Sequence, residues 1–253
     1  MSTYLKLDTK LPAGLNYLNI NLISLPSALV NVGNITNAFV FKDGLRDLVG
    51  NSEIIGSPVK NADGYEFGPN GYIDTKLTES KEFLWVSLAK VPASVETTDR
   101  QFAPLISSWV RETISPTGFT LGNNMGVKIS SLELADNASS NTTVAHNSGV
   151  TNADADKWIL VALSRINTAS GYSYYFSSKL QGAPVFTATA NGTASRNKSL
   201  PVYVGHSKTD DGLFPSSKTV NFASIHNKGL TASELGTLMS SLIGELSIKG
   251  IVL

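Results

Sequence analysis

Cysteine is absent from the 253-residue chain, so neither a disulfide nor a thiolate metal site can hold it together. A hydrophobic core must do that work, and a 42% apolar composition is ample for one. Charge is scarce and balanced, 20 basic residues against 20 acidic. Phosphate backbones and anionic lipid surfaces select a clustered Lys/Arg excess, so neither nucleic acid nor a membrane surface is an expected partner. The 3 histidines, His146, His206 and His226, lie far apart, and no His-x-x-x-His or Glu-x-x-His pair offers a zinc site. Long apolar runs are also missing. The longest, "LNINLISLPSALVNV" (18–32), is broken by Asn19, Asn21 and Pro26 and is too short and too polar to span a bilayer. The opening "MSTYLKLDTK" lacks the basic start and apolar stretch of a secretory signal. Together with the missing cysteine, this fits folding in a reducing cytosol or assembly of a virion inside a host cell.

Helical periodicity is nearly absent until the end of the chain. In its place stand short β-branched or aromatic runs bounded by Gly, Pro, Asn, Asp or Ser: "FLWVSLAKV" (83–91), "FAPLISSWV" (102–110), "GFTLGNN" (118–124), "GVKISSLEL" (126–134), "KWILVALSRI" (157–166), "GYSYYFSSKL" (171–180), "LPVYVGH" (200–206) and "TVNFASIH" (219–226). Each reads as a strand. Many short strands at even spacing predict a sandwich rather than alternating β/α units. Trp158 to Leu163 is apolar at every position, as a central strand covered on both faces would be. Tyr172, Tyr174 and Phe176 alternate with Ser173, Tyr175 and Ser177, which predicts a half-exposed neighbour. Asn167 to Gly171 supplies the turn between them.

One helix is legible. Thr231 with Glu234 three residues later forms a capping box, and Leu235, Leu238, Met239, Leu242 and Ile243 follow at helical spacing. The helix is expected to end between Gly244 and Ser247, with "IKGIVL" as a terminal strand or tail. Residues 1–33, interrupted by Pro12, Gly14 and Pro26, read as an extended arm or packing segment ahead of a domain over 34–253.

From about Asn37 to Leu242 the order of motifs resembles the concanavalin A-like lectin/glucanase superfamily, in its laminin-G-like and pentraxin-like branch. "FVFKDGLRDLVGN" (39–51) carries its D-x-x-G-N, and "GYEFGPNGYIDT" (64–75) looks like its F-x-G-x-x-x-Y-I. "KEFLWVSLAKV" (81–91) and "KWILVALSRINTASGYSYYFSSKLQG" (157–182) are similar to its central strand and hairpin. "LPVYVGH" and "FPSSKTVNFASIHNKGLTASELGTLM" (214–239) match the closing strands and helix. The resemblance implies an all-β, antiparallel two-sheet jelly-roll sandwich with one short C-terminal helix. Where the family often carries Asp-Glu in its penultimate strand, this chain has Asn221-Phe222-Ala223-Ser224-Ile225, so a calcium or acidic role there is not implied.

The polysaccharide-cleaving enzymes of that superfamily set two or three carboxylates at alternate positions of one strand, on one face, as a retaining mechanism requires. Here Glu133 and Asp136 are three apart and fall on opposite faces, while Glu53, Glu66, Glu79, Glu82 and Glu245 read as solvated surface groups. No Gly-x-Ser-x-Gly elbow or phosphate loop occurs. Catalytic residues are therefore not assigned. Binding residues are easier to nominate. "TDDGLFP" (209–215) offers Asp210 and Asp211 as calcium ligands and Phe214 as a sugar-stacking ring, and "NADGYEFGPNGY" (61–72) adds Asp63, Asn70 and Tyr72. Calcium is the one ion for which the sequence offers a place.

These features lead to an expected function: a non-enzymatic virion structural protein of a phage or phage-like particle, a decoration, baseplate, tail or fibre component with a lectin-like domain. It would be made in the bacterial cytoplasm, form a homo-oligomer and contact other particle proteins through the arm. The alternative is a carbohydrate-binding module for host or bacterial surface glycans; a glycoside hydrolase ranks below both.

Overall fold

A computed structural model describes residues 24–68, 71–92, 102–108, 117–123, 127–133, 143–150, 152–169, 171–192, 201–206 and 217–253. Two antiparallel sheets face one another. In the first, β13 (Val185–Gly192), β12 (Gly171–Leu180), β11 (Trp158–Thr168), β6 (Phe83–Lys90), β15 (Lys218–His226), β4 (Tyr65–Phe67) and β3 (Val59–Lys60) lie in that order. Strand β1 (Ile35–Val40) also pairs with β15. In the second, the order is β10 (Thr143–Val150), β9 (Val127–Glu133), β8 (Thr117–Asn123), β7 (Phe102–Ser107), β14 (Pro201–Val204), β5 (Gly71–Thr78) and β2 (Glu53–Gly56). The expected two-sheet jelly-roll-like sandwich is thus observed.

A third layer lies outside the first sheet. Helix α2 (Ala232–Ile248) and the short α1 (Ser27–Val32) cover its outer face. That is why β6 and β11 are buried at nearly every position. Their inward residues, Phe83, Trp85, Val161 and Leu163, pack between the sheets with Phe39, Tyr174, Phe176 and Ile225. Their outward residues, Leu84, Val86, Leu88, Leu160 and Ala162, meet Leu235, Leu238, Met239, Leu242 and Leu246 of α2 and Leu29 of α1. Each such side chain removed from water contributes about 1.5–3 kcal/mol before entropy is counted. The same helix corrects the expectation of a half-exposed β12. Ser173 and Ser177 are buried, and Tyr175, on the same face, packs in the helix-side cluster. Alternation of Tyr and Ser marks two different environments, both covered.

The hairpin is tighter than its five turn-forming residues imply. Asn167 pairs with Tyr172 and Thr168 with Gly171, so the ladder takes in residues that the sequence assigns to the turn. The φ of 140° at Gly171 is a value only glycine adopts freely. Helix α2 also outruns its expected end. It continues past Gly244 to Ile248, and 249–250 is a turn rather than the start of a strand. Glycine costs about 1 kcal/mol in a helix interior, less than the burial of Leu246 returns. At its other end the capping box is formed: Thr231 Oγ1 accepts from the Glu234 amide and Glu234 Oε2 from the Thr231 amide. Ser164 Oγ, buried in β11, donates to the Leu230 carbonyl at 2.7 Å and accepts from its amide at 2.6 Å, tying the helix entrance to the sheet.

The D-x-x-G-N stretch has a local physical role. Asp47 Oδ1 accepts from the amides of Ala38, Val49 and Gly50, and Oδ2 from Asn37 Nδ2 and Ser52 Oγ. One carboxylate therefore shapes the loop after β1 and fastens it to the strand.

Candidate binding groove

The main concavity among the described residues lies at one end of the helix-covered face, with a volume of about 630 Å³. Its floor is Trp158, at the start of β11, with Asn221 and Phe222 of β15 and Val40 of β1. One wall is the turn after α2, Lys249, Gly250 and Ile251, together with Ser24 and Pro26 ahead of α1. The opposite rim carries Lys42, Asp43, Ala62 and Asp63.

The floor and rim are locked together by a charged relay. Lys90 Nζ lies 2.6 Å from Asp63 Oδ2 and 5.2 Å from the centre of the Trp158 ring, a cation–π arrangement that fixes the indole plane. Asn221 Nδ2 donates to the Asp63 carbonyl at 2.7 Å. The loop carrying Asp63 is an Asx turn, with Asn61 Oδ1 accepting from the amides of Asp63 and Gly64 at 3.0 Å each. Gly64 is required there: its φ is 153°, and a Cβ would sit 2.1 Å from the Val220 carbonyl oxygen. The loop thus lies directly on β15. The outcome is an aromatic plate flanked by a carboxylate, an amide and exposed ammonium and carboxylate groups at Lys42 and Asp43. Such a mixture of a flat apolar face and fixed hydrogen-bond groups suits a polyhydroxylated ring.

Of the residues nominated from the sequence, Asp63 is in this groove. Tyr72 is elsewhere, on β5 of the other sheet, edge-to-face with Tyr203 at 5.6 Å and 6.4 Å from His206, so the structure does not bring it to Asp63's site. Asn70, Asp210, Asp211 and Phe214 lie outside the described residues. Among the described residues no group of three or more His, Asp or Glu side chains is placed to hold a metal ion. Trp158, Asn221 and Lys249 were not nominated from the sequence as binding residues. The signal that marked Trp158 as strand gave no hint that its ring faces a groove, because the helix and turn forming the wall come about ninety residues later in the chain.

Two carboxylates read as solvated surface groups are not. Glu79 is buried, its Oε1 accepting from Arg165 Nη1 at 3.0 Å and its Oε2 from Ser108 Oγ at 2.8 Å. The Arg165 guanidinium stacks 3.7 Å above the Tyr172 ring. Glu245 is half-buried and caps α1. In both cases a residue distant in sequence supplies the partner. Burial disfavours the charged form of two further interior groups. His226 Nδ1 donates to the Gly33 carbonyl at 2.9 Å, its Nε2 accepts from Ser224 Oγ at 3.2 Å, and burial lowers its pKa to about 4. Lys218 is buried with no hydrogen-bond partner for its amine, and desolvation holds its pKa well below the usual lysine value.

No protein-family model and no curated protein matches the chain. Solved structures do. The receptor binding domain of botulinum neurotoxin D superposes with a TM-score of 0.55 at 12% identity, covering 83% of this chain and 53% of that one. The corresponding domain of the mosaic serotype C/D toxin gives 0.56 at 13%, over 85% and 52%. A Trypanosoma rangeli sialidase gives 0.53 at 13%, over 83% and 33%. The chain spans about half the length of the toxin domains and a third of the sialidase. These likenesses define the fold class: an antiparallel, two-sheet jelly-roll-like β-sandwich. At such identities they speak for the fold alone.

Proposed function

We propose that this domain is a non-catalytic recognition module that takes a saccharide unit of a glycan in the groove beside Trp158. One observation carries the reading: Lys90 lies over the Trp158 indole and pairs with Asp63, and Trp158, Asp63 and Asn221 line the same groove. In that geometry the ring's apolar face rests on the indole, and Asp63 and Lys42 exchange hydrogen bonds with its hydroxyls. Solved structures sharing the fold include a receptor binding domain and a sialidase, which agrees with recognition of surface ligands without fixing this chain's partner. Asp47, Glu79, Glu234 and Glu245 are engaged in hydrogen bonds within the fold and Asp63 lines the groove, and no turnover is assigned to them. A glycan array probed with the whole chain, with and without chelator, tests the reading. Binding of a defined glycan is expected, and binding to none under either condition would remove it. Sustained release of reducing sugar from a bound polysaccharide would instead make it a hydrolase.

We place the module on a phage or phage-like particle, as a decoration, baseplate, tail or fibre component. What supports this is composition: no cysteine and 16% charged residues in a sandwich of a kind used at surfaces. Mass spectrometry of purified particles from the source is the check, with the chain present at stoichiometric amounts.

A further inference from the structure

We infer that Glu245 is a positioning residue of the groove, holding residues 24–32 as a strap that forms one wall; the inference rests on the groove being a ligand site. The strap has little local reason to be ordered where it meets the groove. Helix α1 is six residues long, and its N-cap is Pro26, which offers no side-chain acceptor. A helix that short does not stand alone, and its first amides lack intrahelical partners.

The missing acceptor comes from the other end of the chain. Glu245, on the last turns of α2, accepts from the Ser27 amide at 2.6 Å, from Ser27 Oγ at 2.8 Å and from the Ala28 amide at 2.8 Å. A carboxylate at a helix start is favoured by charge as well as by hydrogen bonding. One turn later Lys249 Nζ donates to the Ser24 carbonyl at 3.2 Å. The far end of the strap is tied separately: His226 contacts the Gly33 carbonyl, and the Asn227 amide donates to the Asn34 carbonyl at 2.9 Å. Between the ties the anchors are Leu25 and Leu29 in the helix-side core. Ser24 and Pro26 line the groove on one side of this clamp, and Leu246 and Lys249 line it on the other. Glu245 thus fastens two parts of the same wall to each other without itself lining the cavity.

The test has two readouts on the full chain. Hydrogen exchange of the amides at 27–30 should quicken in Glu245→Ala, and Glu245→Gln, which keeps one acceptor oxygen, should fall between it and the wild type. Affinity for the glycan found on the array should drop roughly tenfold in Glu245→Ala, the loss expected for a displaced wall, with the melting of the sandwich still cooperative. Unchanged exchange at 27–30 overturns the role of Glu245. Faster exchange with unchanged affinity overturns its effect on the groove. If the wild type binds no glycan, the ligand reading fails by itself, and the exchange comparison still decides whether Glu245 holds the strap.

Discussion

His226 sits where a proton is least welcome. Its folded pKa, near 4, lies below the ordinary value of about 6.5, so the neutral form is native. Above about pH 6.5 neither folded nor unfolded chain carries the proton and the group is silent. As pH falls towards 4 the unfolded chain takes up a proton that the fold refuses, and stability is lost, about 3 kcal/mol in all. Chemical denaturation at pH 7.5, 6 and 4.5 should show that loss, and His226→Gln should flatten that part of the profile. Lys218 makes the opposite point. Its amine is buried without a partner, a state that costs roughly 1–3 kcal/mol. Lys218→Met keeps the stem and removes the polar tip, so it should raise the melting temperature; a lower one would mean the amine has a structural role. Glu79 and Arg165 behave differently again, because they are a buried ion pair, although Arg165 Nε and Nη2 find no hydrogen-bond partner. Glu79→Gln leaves a buried guanidinium facing a neutral amide and should destabilise the chain by about 3 kcal/mol or more in urea unfolding.

At the scale of elements, local chemistry and distant packing divide the work. The capping box of α2 is local, and Thr231→Ala should cost about 1 kcal/mol by thermal or urea unfolding. Its signature was readable in the sequence, as were β6, β11, β12 and β15 within a residue or two, because strand period and bounding turn residues are properties of neighbours in the chain. What resisted reading depends on residues far apart. Serines in β12 look solvent-facing by alternation, yet α2 covers them. Glu79 and Glu245 look solvated until Arg165 and the start of α1 arrive beside them. Helix α2 looks weakened by Gly244, yet the sheet beneath Leu246 holds it to Ile248. Asp63 was legible as a loop acid; its coupling to Trp158 through Lys90 was not, since those residues lie on three separate elements. Tyr72 was nominated on the same grounds as Asp63 and belongs to the other sheet. The loop of Asp63 carries its own prediction: Gly64→Ala puts a methyl 2.1 Å from the Val220 carbonyl oxygen at a φ of 153°, and should lower stability and disturb the groove together.

For the whole molecule, the arrangement is a sandwich with a helical cap on one face, and the cap is what turns a flat sheet end into a groove. Two sheets alone would leave Trp158 on an open surface. The turn after α2 and the segment before α1 enclose it, and the charged relay through Lys90 holds it level. The central claim is that this enclosure binds a saccharide ring on the indole. It is tested most directly by glycan-array binding of the wild type beside Trp158→Ala and Asp63→Asn, each first shown to unfold cooperatively. The wild type should bind a defined glycan, Trp158→Ala should abolish the signal, and Asp63→Asn should weaken it several-fold. A wild-type signal that both variants retain in full would contradict that claim.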